Sequence, residues 1–298
     1  MSNNITNMED KAPINRNFLK KIKNFRLFLN PTGVIGVLII MTIIFIAIFA
    51  HLIAPHDPLK IDLSKKFLPP STVYFFGTDD LGRDIFSRCL YGIRISFSIS
   101  ISVLAFAVVF GTVFGSISGF FSSIIDNIFM RITDIFLAFP ALILAMAIAA
   151  TLGASLFNAM IAVMVVWWPW YARIVRGSFL SLKNNLYVDA ARTIGTNNFN
   201  IIFKHILPNC IATVIVMASL DLGFAILTTS GLSFVGLGAK PPTPELGAMI
   251  SQGRQYIIDY WWIPTFPGLM IFFMVLGVNL FGDTLRDIMD PSIRRLVR

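Results

Sequence analysis

Few residues in this 298-residue chain have the types and spacing that chemistry requires. Gly77-Thr78-Asp79-Asp80-Leu81-Gly82-Arg83-Asp84 has the G-x-x-x-x-G spacing of a phosphate loop. Arg83 and Asp84 stand where such a loop needs Lys and Ser or Thr, and the aspartate pair would repel phosphate. It is therefore not read as a nucleotide site. His51, His56 and His205 are scattered, and Cys89 and Cys210 have no partner spacing. No catalytic residue, metal site or cofactor is expected, and the chain is not read as an enzyme. One acidic residue stands out. Asp221 interrupts a long apolar run, where an ionisable group is costly and marks a functional site by default. The alternatives are that it lines the pore, pairs with a partner subunit or is protonated, with Ser230 and Gly231 either satisfying it or marking a break in the helix.

The second informative stretch runs from Asn184 to Asn209 and reads as two short amphipathic helices. Tyr187, Ala190, Ala191 and Ile194 recur at helical spacing, with Asn184 or Asn185 as the N-cap. Gly195 supplies the joint, because glycine reaches positive φ without a Cβ penalty. Phe199, Ile202, Phe203 and Ile206 repeat the spacing on a second helix, which Pro208 is expected to end. Two matched apolar faces around a glycine suit a docking surface.

The elements that must position these residues are membrane helices. The chain is 56% hydrophobic and 13% charged, with a mean hydropathy of +0.75; soluble domains carry about 25% charged residues. The spacing predicts an all-α polytopic membrane protein with about six spans: 33–53, 95–122, 135–152, 157–174, 209–236 and 263–281. A basic tail (1–30) carries Lys11, Arg16, Lys20, Lys21, Lys23 and Arg26, which places the N-terminus in the cytoplasm, and no signal peptide is expected. Extracytoplasmic loops follow at 54–94 and 237–262, a cytoplasmic loop at 175–208, and a cytoplasmic tail at 282–298, with the core domain at about 95–285. The net charge of +8 is explained by basic residues that orient the chain, so no nucleic-acid partner is expected. Gly111, Gly115 and Gly119 form a stripe that suits close helix packing, either within the chain or against a partner or gate. Pro140 and Pro169 are expected to bend or start helices, and Trp167, Trp168, Trp170 and Tyr171 to form an interfacial belt, with Trp261 and Trp262 anchoring the last span.

Four segments carry a family resemblance. D-A-A-R-T-I-G followed by Leu207-Pro208 is similar to the E-A-A-x-x-x-G-x9-I-x-L-P loop of ABC importer membrane subunits, with Asp189 for Glu and His205 at the isoleucine position. G-T-D-D-L-G-R-D-I-F-S-R-C-L-Y-G, L-S-F-V-G-L-G-A-K-P-P-T-P-E-L-G-A-M-I, and the ending from Gly282-Asp283 to Asp290-Pro291 resemble the second permease of dipeptide, oligopeptide and nickel importers. The first of these also suggests a compact, salt-bridged outer element. The resemblance implies the type I importer permease fold and a place in the bacterial cytoplasmic (inner) membrane. It implies as partners ATP-binding subunits, a second homologous permease and an extracytoplasmic substrate-binding protein. It assigns ATPase coupling to Tyr187, Asp189, Ala190, Ala191, Gly195, Phe199, Ile202, Phe203, Leu207 and Pro208. Peptide is the expected cargo, with nickel or another small solute as the alternative. A stand-alone secondary transporter is disfavoured, because only Asp221 sits at membrane depth and no internal repeat is seen.

Overall fold

A computed structural model describes residues 31–121 and 123–289, and they are almost wholly helical. The expected tail at 1–30 and the residues after Met289 lie outside them. We number the helices α1 (Pro31–Ile53), α2 (Ile85–Phe120), α3 (Ser123–Leu137), α4 (Ala141–Leu152), α5 (Leu156–Leu182), α6 (Leu186–Thr193), α7 (Asn198–Phe234), α8 (Leu246–Gly253) and α9 (Trp262–Met289). Helices α1, α2, α7 and α9 are long and apolar enough to cross a membrane, and the bent pair α3–α4 makes up to five. The sixth expected span corresponds to α5, which is 27 residues long but carries Trp167, Trp168, Pro169 and Trp170 around its middle and Arg173 and Arg176 in its second half.

The centre of the fold is the α2–α5 pair. A Cβ on Gly111, Gly115 or Gly119 would run into Tyr171, Ala172 or Phe179 of α5, so the glycine stripe is an intramolecular seam. With lipid outside and no solvent to drive helices together, such close approach is what supplies dispersion contact. Around this pair, α7 and α9 pack on each other, and α1 closes over α9 where Gly277 admits Ile39. Trp168 and Tyr171 are buried in the seam, so among the expected belt residues only Trp170 is exposed. Trp262 is likewise buried, its Nε1 donating to Thr78 O at 3.3 Å, while Trp261 is exposed.

Three local readings change. The expected helix 135–152 begins only at Ala141: Pro140 caps α4, and the chain turns 86° between α3 and α4. Proline pushes the residue before it out of the α region, which breaks the run. Pro169, by contrast, lies inside α5. Pro208 does not end its helix. Residues Ile201–Ile206 form a π-helical turn in which Leu207 N–H bonds to Ile202 O, and α7 continues through Pro208 to Phe234. The wider i→i+5 turn accommodates a residue that has no N–H to give an α ladder. No break occurs at Thr228–Gly231 either.

At the end where α2 begins, the failed phosphate loop is an ion-pair knot. Asp79, Arg83, Asp84 and Arg88 are all buried. Arg83 Nε donates to Asp79 Oδ2 at 2.7 Å, and Arg88 Nη1 to Pro58 O at 3.0 Å. Asp84 caps α2 by accepting from Phe86 and Ser87 N–H groups. The acids that would repel phosphate are needed to neutralise buried arginines.

Candidate functional site

The pair formed by α6 and the start of α7 lies at the opposite end of the 36-residue α2, about 54 Å away at 1.5 Å per residue. Local sequence explains its shape. Helix α6 closes at Gly195, φ +80°, where Gly195 N–H bonds to Arg192 O and Thr196 N–H to Ala191 O. Asn197 then caps α7, its side chain accepting from Asn200 N–H at 2.8 Å. The pair hangs between two long helices: Lys183, just after α5, donates to Gly119 O at 3.0 Å, and α7 runs on without interruption. Asn209 Nδ2 donates to His205 O at 2.7 Å and reaches Tyr187 Oη at 3.5 Å, tying α6 to the first turns of α7.

Burial divides this element in two. Val188, Ala191, Ile201, Ile202 and Ile206 are buried in a cluster with Val175 and Phe179 of α5. Leu186, Ile194 and Phe199 are 87%, 81% and 66% exposed, with Phe203 and Tyr187 exposed beside them. The Phe199 and Phe203 rings lie 4.4 Å apart. Ile202, expected on the outer face with these phenylalanines, is instead only 7% exposed. The π turn explains this correction. It winds fewer degrees per residue than an α-helix, so Phe199 and Phe203 stay outside while Ile201, Ile202 and Ile206 turn in. The face expected from Tyr187, Ala190, Ala191 and Ile194 splits in the same way, with Ala191 inward and the other three exposed. Asp189 is exposed and accepts from Arg192 Nη1 at 3.3 Å; Leu207 is half-buried and Pro208 exposed.

Asp221 and Ser230, grouped from the sequence, are not one group. Asp221, half-buried on α7, accepts a 2.6 Å hydrogen bond from Tyr171 Oη of α5. Ser230, expected beside it, donates instead to Glu245 Oε1 at 3.2 Å. Nine positions along one helix are two and a half turns, too far for Ser230 to reach Asp221. Glu245 was not singled out from the sequence. It is buried, caps α8 by accepting from Ala248 N–H at 2.8 Å, and takes a second serine hydroxyl from Ser96 at 3.0 Å. That one carboxylate joins α2, α7 and α8. The signal that could have found it is the T-P-E-L pattern, an acidic residue immediately before a short apolar helix.

Known proteins bear on this geometry in three ways. Residues 111–295 match the family described as the binding-protein-dependent transport system inner membrane component, and residues 24–70 match the N-terminal transmembrane domain of oligopeptide transport permease C. The chain is 46% identical over 263 residues to the probable D,D-dipeptide transport system permease protein DdpC of Escherichia coli K12, covering 88% of each. It is 44% identical over 265 residues to the dipeptide transport system permease protein DppC of Alkalihalophilus pseudofirmus, covering 89% of this chain and 87% of that one. An inward-facing structure of the MetNI methionine ABC transporter shares the fold, at a TM-score of 0.55 and 19% identity, over 67% of this chain and 96% of that one.

Proposed function

The chain belongs to the family of binding-protein-dependent transport system inner membrane components, and we propose that it forms half of a peptide translocation pathway driven through the α6–α7 pair. It is a multi-pass inner-membrane permease subunit of an ABC importer. In this reading the end carrying α6 lies in the cytoplasm, and a cytoplasmic ATPase subunit covers Leu186, Tyr187, Ile194, Phe199 and Phe203. A second homologous permease completes the pathway, and an extracytoplasmic binding protein delivers cargo to the end carrying the ion-pair knot.

The single observation behind the coupling role is the division of one helix pair into a sunken face and a bare one. Large apolar side chains at 66–87% exposure on a compact element are characteristic of a surface that a partner covers. The sunken face makes the pair a rigid extension of α5 and α7, so displacing it displaces both. Asp189 lies at the rim of the bare face, already held by Arg192, and is offered to a basic residue of the partner. Cargo is assigned as a short peptide from the dipeptide substrates named for the relatives. Asp221, half-buried where α5 meets α7, is proposed to sit beside that pathway.

The test is a Phe199→Glu/Phe203→Glu double variant in the assembled transporter. It should lose at least tenfold in ATPase-subunit retention during purification and in dipeptide uptake, while the permease still inserts. Full retention of ATPase subunits would assign the docking role elsewhere. Competition of uptake by dipeptides, longer peptides and Ni²⁺ tests the cargo separately.

A further inference from the structure

We infer that α3 is an interfacial helix, seated in the headgroup and acyl-chain boundary of the bilayer on the membrane face that carries α6, with anionic phospholipid at its basic edge. Three faces of α3 carry the argument. The first faces protein: Thr133 is buried, Asp126 accepts from Arg176 Nη2 at 2.6 Å and from Ser118, and Asp134 pairs with Arg173. Both acids of the helix are thereby neutralised by α5. The second face is apolar and uncovered. Ile124, Ile128, Ile132 and Ile135 are all exposed and fall within about 80° of arc at 100° per residue. The third is polar, with Asn127 and Arg131 exposed. Among the described residues no acidic group pairs with Arg131.

A helix with one apolar face and one polar face, turned 86° from the helix that follows it, suits the plane of a membrane surface. Its position along the normal is fixed by its neighbours. Arg173 and Arg176 lie in the second half of α5, which leads directly to α6, so α3 is at the same end as the α6–α7 pair. Exposed Phe139, Leu142 and Ile143 follow α3 directly in the chain, so exposed apolar residues continue past the bend into α4, which together with α3 is apolar enough for one bent span. A second permease subunit fits this stripe less well. Helix interfaces within membranes favour small residues that admit close approach, whereas four β-branched isoleucines with no Gly, Ala or Ser among them present a broad greasy ridge. Arg131, left as the uncompensated charge at the edge of that ridge, complements phosphate headgroups. Lipid is the occupant that the apolar ridge, the charge and the continuity share. The inference stands on membrane residence and does not depend on which partner covers α6.

The experiment uses the assembled transporter in nanodiscs of phosphatidylethanolamine and phosphatidylglycerol, spin-labelled at Ile128→Cys, Ile135→Cys or Asn127→Cys. Collisions with lipid-dissolved O₂ should exceed those with a polar nickel chelate at least threefold at 128 and 135, with the order reversed at 127. Dominance of the chelate at 128 and 135 puts the ridge in water, and weak collisions with both probes put it under a protein partner; either overturns the inference. Raising the phosphatidylglycerol fraction should deepen the label at 128, and Arg131→Gln should remove that response. An undiminished response in Arg131→Gln would overturn the role of the anionic headgroup.

Discussion

Single residues in this permease matter most where a polar group is buried between helices. Tyr171 is fully enclosed in the α2–α5 seam, yet its hydroxyl reaches Asp221 of α7 at 2.6 Å. The bond therefore ties three helices through one side chain. Tyr171→Phe keeps the ring that fills the seam and removes only the donor. Leaving a part-buried acceptor unpaired costs roughly 1–3 kcal/mol, and the lower melting temperature of the purified transporter measures it. If Asp221 also serves the pathway, Asp221→Asn should lower uptake with little loss of stability, since an amide oxygen still accepts from Tyr171. Equal loss of uptake and stability in that variant would reduce Asp221 to a structural role.

At the scale of elements, the joint and the short helix α8 carry separate predictions. Gly195 sits at φ +80° with nothing within 4 Å of an added Cβ, so substitution there strains backbone without any clash. A non-glycine residue in that region costs roughly 1–2 kcal/mol, with Asn and Asp tolerated best. Gly195→Asn should keep most uptake, Gly195→Asp should place a charge on the docking surface and uncouple ATP hydrolysis from uptake, and Gly195→Val should do so more severely. Normal uptake by a correctly assembled Gly195→Asp complex would remove the joint from the mechanism. Helix α8 is held by Glu245, whose partners are neutral donors only, and burial pushes its carboxyl above the usual glutamate range. A raised folded value favours the protonated form in the native state. The stability it contributes is therefore fully present below the ordinary glutamate value and fades as pH rises through the raised one. In Glu245→Gln the amide can accept from Ala248 N–H and donate to the serine hydroxyls. Melting curves should show that variant losing this pH dependence relative to the parent, whereas Glu245→Ala should be destabilised at every pH.

For the molecule as a whole, the α2–α5 seam is the contact on which the rest is built. Gly115 faces the Ala172 backbone so closely that a side chain there must force the two helices apart. Gly115→Leu should abolish recovery of a monodisperse complex, while Gly153→Ala, at an open turn with φ +90°, should cost only backbone strain and leave assembly intact. Size-exclusion profiles of the two variants separate a packing seam from a general intolerance of larger residues. The same architecture explains how one end can move the other. Helix α7 runs from Asn198 to Phe234 with a π turn at Ile201–Ile206, so in the proposed coupling a displacement at Phe199 would reach Asp221 and Ser230, which donates to Glu245, through one helix.

Much of this was legible in order of appearance along the chain. Long apolar runs dictate helices, because backbone polar groups in lipid must be satisfied within the segment. The glycine joint at 195 and the failure of the phosphate loop at 77 follow from residue chemistry alone. Sequence periodicity could not decide which side of a helix faces inward once a π turn changes the winding, and so Ile202 was placed outside when packing buries it. Nor could it pair groups that are distant in the chain. Ser230 meets Glu245 and Tyr171 meets Asp221 only because α2, α5, α7 and α8 converge, and hydrogen bonds 15 and 50 residues apart leave no periodic trace. Local propensity and hydrophobicity determined the elements; the enclosure of polar atoms between those elements, which only tertiary packing creates, decided their partners.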